Sequence, residues 1–209
     1  MARIETNRWY GLRRQSLAVY ARNAGFDLSI FEDYSKSVQA ELRSKTIKEA
    51  MREIEWALKD QHFDLNLAKK GVYVISLSNP LTIKYPKKRS QVLYIGRGDI
   101  RQRISSHFEN KLFDLMRSLS GADFDFDFAV PARPGTRDYY KDVEYQMLEW
   151  FNLKFGDQSK RCFPLMNKIK GTKKNNTSDS EWWTKPLKAT GARPLWEITP
   201  IAANKFKLT

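Results

Sequence analysis

Arg103 and His107 stand one helical turn apart, and what such a pair can do depends on what lies beside it. Ile100, Ile104 and Phe108 gather in one sector of a helix, and that sector must face a core. Arg103 and His107 border it, whereas Arg101 and Ser106 lie away from it. An arginine turned toward a core edge needs a counter-charge. A buried salt bridge supplies one; so does a phosphate held in a cleft. His107 is placed either to pack beside the stripe or to move a proton and touch a phosphate. Glu144 poses the converse problem. Tyr140, Val143, Met147, Trp150, Phe151 and Phe155 mark the apolar face of a later helix; Glu144 falls inside that arc, while Glu149, Asp142 and Asn152 fall opposite. A carboxylate aimed into a core is costly unless it meets a cation, and a salt bridge to Arg103 would put both residues in one site.

The elements that must hold these side chains can be read in turn. Val72 to Ile75 and Val92 to Ile95 are short β-type runs that read as a hairpin, within which Tyr73 and Tyr94, taken alone, are packing aromatics. Their connection passes through Lys84, Lys87, Lys88 and Arg89, either a phosphate-contacting loop or a solvated tip. Asp99 is the expected N-cap of the helix bearing Arg103, with Gln102 as its capping-box partner. The alternation from Asp123 to Phe128 predicts a strand with its phenylalanines in the core and its aspartates on a solvated face; carboxylates two apart on a strand diverge from a common ion. A long helix is expected from about Val38 to Gln61, because Ile47, Met51, Ile54 and Leu58 recur at helical spacing, and another from Arg137 to Phe155. Upstream, Trp9 and Tyr10 with Arg8, Arg13 and Arg14 form a basic aromatic segment, either a nucleic-acid contact or a packed helix. Gly171 to Ser180 reads as a loop or linker, followed by Trp182, Trp183 and Trp196.

Composition narrows the partners. The chain of 209 residues is 41% hydrophobic, enough for one core and a small second unit. A formal charge of +13 favours an acidic polymer, with nucleic acid first. Cys162 is the single cysteine, so one chain builds neither a disulfide nor a cysteine-based zinc site, which fits a reducing cytoplasm. No run reaches the roughly 20 apolar residues of a membrane span, and the first residues lack the apolar segment of a signal peptide.

Gly71-Val72-Tyr73, Tyr94-Ile95-Gly96, Arg103, His107, Glu144 and the late Pro164 with Asn167 stand in an order that resembles the GIY-YIG nucleases, over roughly Gly71 to Asn167. The resemblance implies an α+β fold with a small three-stranded antiparallel sheet flanked by helices. It divides the chain into a helical N-terminal region (1–68), a nuclease domain (69–170) and a basic, aromatic C-terminal extension (171–209). It further implies metal-dependent hydrolysis of DNA, double-stranded for preference, in restriction or defence against foreign DNA; a mobile-element or repair nuclease, or a non-catalytic nucleic-acid binder on the same scaffold, is the alternative. Glu144 would hold Mg²⁺ or Mn²⁺, Tyr73 would orient or deprotonate the attacking water, Tyr94 would position water or phosphate, and Arg103 would stabilise developing charge. Which tyrosine is the base stays open. His107 would contact phosphate or move a proton, and Asn167 would order the site, although the interval from Glu144 is longer than the family's. Lys84, Lys87, Lys88, Arg89, Arg97, Trp182 and Trp183 are the expected nucleic-acid contacts, the expected location is the cytoplasm, and a homodimer is compatible with the sequence.

Overall fold

Along the chain the elements run β1 (Tyr10–Gln15), α1 (Leu17–Asn23), α2 (Lys36–Lys59), β2 (Gly71–Leu77), β3 (Leu81–Lys84), β4 (Arg89–Ser90), β5 (Val92–Gly98), α3 (Ile100–His107), α4 (Phe113–Ser118), β6 (Phe124–Ala129), α5 (Tyr139–Phe155) and β7 (Trp196–Ile198). Short 3₁₀ segments lie at Leu28–Asp33 and Trp182–Lys188, and a π-helical turn, Phe108–Leu112, joins α3 to α4. These come from a computed structural model describing residues 4–119, 122–157, 162–167, 181–191 and 196–199. The expected linker from Gly171 to Ser180 lies outside the described residues.

The fold is α+β, and its main sheet has four strands in the order β1-β6-β2-β5, all antiparallel, where three were expected. The fourth comes from the N-terminal region: Tyr10 pairs with Phe128 and Leu12 with Phe126, so this basic aromatic segment is a strand and not a helix. β2 and β5 pair as the expected hairpin, Gly71 opposite Gly98 and Tyr73 opposite Gly96. Their long connection is structured too, since β3 and β4 form a second small sheet with β7, in the order β4-β3-β7.

Register assigns the sheet's two faces. Tyr10, Leu12, Tyr73, Ile75, Phe126 and Phe128 share one face and pack beneath the helices. Tyr10, Phe63 and Phe128 form a run of ring contacts there, and Phe108 beside Phe126 brings in the end of α3. The three phenylalanines of β6 have no exposed surface, as their alternation predicts. The opposite face is not the solvated one expected for the aspartates. Asp127 is 5% exposed and is held by both terminal nitrogens of Arg13, and Asp125 accepts from Ser78 and from the Arg14 backbone. The cover comes from Trp182–Lys188 and from α5, which packs on β5 and β2.

α2 spans the expected helix, with Ile47, Met51, Ile54 and Leu58 buried along one stripe. Among the described residues no helix is long and apolar enough to cross a membrane.

Candidate active site

Two glycines allow the tyrosines and α3 to meet. A Cβ on Gly96 would lie 2.5 Å from the Tyr73 hydroxyl and 2.5 Å from a Tyr94 ring carbon, so only glycine leaves both phenols room on this face. A Cβ on Gly71 would lie 2.6 Å from Ile100 Cγ1, so that glycine admits the first turn of α3. Asp99 starts this helix as expected, its carboxylate accepting from the Gln102 amide. Ile100 and Ile104 then point into the core and His107 follows them, 8% exposed. The sequence geometry of this helix holds for those residues.

Tyr73 is fully buried and shares a 2.8 Å hydrogen bond with His107 Nε2. The Tyr94 ring lies 4.5 Å, centre to centre, from the imidazole and 5.8 Å from the Tyr73 ring, and remains partly open to solvent. Burial raises the Tyr73 phenol far above its ordinary range, with Tyr94 adding to the effect and Arg103 opposing it. The Tyr94 phenol is also raised by burial, against the pull of the Tyr73 hydroxyl and Arg103. His107 is pushed down to about 4, first by burial and then by the positive charges of Lys111 and Arg103. At neutral pH the cluster is therefore a neutral imidazole between two protonated phenols.

Arg103 lies at the edge of this cluster with its side chain exposed, close to Gly98, and makes no hydrogen bond or ion pair among the described residues. Its charge acts on Tyr73, Tyr94, His107 and Glu144 alike. Neither a structural salt bridge nor a buried position accounts for it. Lys111, one turn beyond His107, faces the same cluster, with its ammonium 5.9 Å from the Tyr94 ring centre. Sequence reasoning passed over Lys111, although its spacing of four from His107 was a usable signal.

Glu144 reaches the site from the other side of the sheet's edge, on α5, and is 9% exposed. Burial raises its carboxyl above the usual range, with Arg97 and then Arg103 opposing. Its partner is Arg97 of β5, Nε to Oε2 3.5 Å, rather than the Arg103 pairing that the sequence admitted. Arg97, expected as a nucleic-acid contact, thus stands beside Glu144. At that distance the contact is an ion pair without a hydrogen bond, and buried Oε2 has no hydrogen-bond partner. The separation of Glu144 from the other acids of α5 needs correction: Asp142, expected in solvent, is 2% exposed, and Glu149 is half-buried.

Asn167 clips the open edge of β5. Its Oδ1 accepts from the Ile95 amide at 2.9 Å and its Nδ2 donates to the Ile95 carbonyl at 2.7 Å, while the Met166 amide donates to the Leu93 carbonyl. Tyr94 sits between those two anchored residues.

Among the described residues no group of three His, Cys, Asp or Glu side chains could cage a metal. A hard divalent ion that keeps its waters and takes substrate phosphate needs only one or two carboxylates, and the hydrogen-bond-free oxygen of Glu144 fits that requirement.

The remaining expected contacts lie apart from this cluster. Arg89 pairs with Glu197, Lys87 donates to the Leu153 carbonyl and Lys88 lies over the Phe155 ring. Leu153 and Phe155 are some three turns along α5 from Glu144, roughly 15 Å. Lys84 is exposed opposite Arg89. Trp183 is 5% exposed, and Trp182 packs at 5.8 Å on Trp9, which donates to its carbonyl. Trp183 is therefore no platform for a base, because its ring is buried in the core. The chain matches no protein-family model, no curated protein and no solved structure.

Proposed function

We propose that the chain is a divalent-ion-dependent endonuclease that hydrolyses phosphodiester bonds of DNA at the cluster of Tyr73, Tyr94, Arg103, His107 and Glu144. The observation that carries this reading is the pairing of two unmet needs. Among the described residues, a buried carboxylate with an oxygen lacking any hydrogen bond stands near an exposed arginine lacking any counter-ion, beside two phenols and an imidazole. A phosphate with its counter-ion answers both.

Glu144 would hold a hard ion such as Mg²⁺, which when bound supplies charge neutralisation at the phosphate and lowers the pKa of a bound water. Arg103 binds a non-bridging phosphate oxygen and stabilises the charge that grows on it. Tyr94, the phenol open to solvent, orients the attacking water by hydrogen bonding. Tyr73 cannot reach solvent; bonded to His107, it fixes the position of Tyr94 from within. Both phenols stay protonated at neutral pH because burial raises them, so neither deprotonates the water, and Tyr94 alone positions it. Asn167 holds the Tyr94 strand through the Ile95 backbone.

Incubation of the purified chain with supercoiled plasmid tests the reading. Nicked or linear product with Mg²⁺ and none with excess chelator is the expected result. Equal cutting in chelator, or a Glu144→Gln variant as active as the starting protein, overturns it.

A further inference from the structure

α2 turns Lys48, Arg52, Trp56 and Lys59 to solvent along one side. Trp56 is 62% exposed, although the core stripe of the same helix is already filled by Ile47, Met51, Ile54 and Leu58. A large ring left in water among cations has no role in holding the fold. Beside it, between α2 and α3, runs a cleft of about 530 Å³, lined by Ser44, Lys48 and Arg52 from one helix and Arg101 and Ser105 from the other. Cations interleaved with hydroxyls suit a row of phosphates. Arg52 and Arg101, each at least half exposed, are met by Glu49 at 2.7 Å and Glu55 at 2.6 Å, pairs that water screens and a phosphate can replace; Glu109 accepts from Ser105, and Lys48 has no ion pair or hydrogen bond among the described residues.

The cleft also lies on a line with the site. Arg101 and Arg103 leave α3 on opposite sides of the Ile100 and Ile104 stripe, so α3 forms the wall between cleft and tyrosines. A helix is about 10–12 Å across, roughly three base steps of duplex axis at ~3.4 Å each. A strand whose phosphate rests on Arg103 therefore reaches the cleft after a few nucleotides.

We infer that the α2–α3 cleft and Trp56 bind the backbone of duplex DNA flanking the phosphate at Arg103. The inference rests on the nuclease reading for its substrate. Lys48 contacts a phosphate directly, Arg52 exchanges its exposed pair with Glu49 for a second phosphate, and Trp56 packs its ring on a sugar or an exposed base. This surface is distinct from the Lys84 to Arg89 connection on β3 and β4.

The test is fluorescence anisotropy of a labelled duplex in chelator, across a salt series, with the full chain and its Lys48→Ala, Arg52→Ala, Trp56→Ala triple variant. These side chains are exposed, and equal melting temperatures check that the fold is intact. The triple variant should bind about tenfold more weakly, and its slope of log affinity against log salt should be shallower by about 1.8, two phosphate contacts at ~0.9 each. Lys48→Arg with Arg52→Lys should restore the slope. A triple variant with unchanged affinity and slope overturns the cleft, and so does a starting protein that binds no duplex. Binding lost in the triple variant, from a protein that never cuts plasmid, sinks the nuclease reading and upholds the cleft. Cutting by the triple variant with unchanged KM does the reverse.

Discussion

Asp127 and Glu144 are both buried carboxylates on the same side of the main sheet, each facing an arginine, yet their surroundings differ. Asp127 receives two short hydrogen bonds from the forked end of Arg13, at 2.9 and 2.5 Å. Glu144 has a single arginine contact at 3.5 Å and an oxygen with no hydrogen bond. Burial raises both carboxyls, and in both cases the arginine opposes it. The first pair is complete and holds β1 to β6. The second leaves a desolvation cost unanswered, which the proposed metal ion would answer. Burial of a charge is common to the two; the hydrogen bond that Glu144 Oε2 lacks is what differs.

The comparison breaks most visibly at the carboxylates themselves. Glu144→Gln should lower plasmid cleavage by about 10³-fold or more, with a smaller loss of melting temperature than the Asp127 variant, since its 3.5 Å contact with Arg97 is not a hydrogen bond. Asp127→Asn should do the opposite, cutting within a few-fold per folded molecule but melting lower by ~4–8 °C for about 2 kcal/mol of lost charge-assisted bonding. Calorimetry and initial rates on both variants decide the matter; an inactive, fully stable Asp127→Asn would mean that the roles are reversed.

A smaller effect is expected from Gly96→Ala, which pushes a methyl between the two phenols. Overpacking of this kind costs about 1–3 kcal/mol, and displaced tyrosines should slow cleavage by about tenfold or more while salt-dependent DNA binding is kept. Unaltered turnover in that variant would remove Tyr73 and Tyr94 from the chemistry.

The smallest effect is read by titration. The His107 imidazole should show its NMR midpoint near 4. Because the folded value lies below the unfolded value of about 6.5, the unfolded chain binds more protons between the two. The contribution of His107 to stability is thus fully present above about 6.5 and is lost as pH falls toward about 4, by at most about 3 kcal/mol. A midpoint at or above 6.5 would show that the imidazole is solvated and not locked to Tyr73.

Sequence reasoning worked where one element's own spacing decides the outcome. The α2 stripe, the Asp99 cap, the buried phenylalanines of β6 and the inward turn of Glu144 are each set within a few residues of chain. It failed where the deciding partner is distant. β1 is short and carries Arg13 and Arg14, and only β6, more than a hundred residues later, makes it a strand. Asp127 was expected in water because its cover comes from Arg13 and Trp182–Lys188. Asp142 was misplaced because α5 is packed by β5, by β2 and by the Trp182–Lys188 segment, so the arc opposite its apolar stripe is not simply solvent. In the site, Arg103, His107 and Glu144 were legible as residues, but the Arg97 pairing was not, since strand parity alone cannot show which side chain meets α5.

β5 ends the sheet, and a terminal strand carries a row of outward amides and carbonyls that a second polypeptide can adopt. Met166 and Asn167 occupy that row at Leu93 and Ile95, so a single side-chain amide imitates the next strand. The clip that steadies Tyr94 therefore also denies this border to other chains. An Asn167→Ala protein should self-associate as its concentration rises, with light scattering growing while the unclipped strand recruits its own copies.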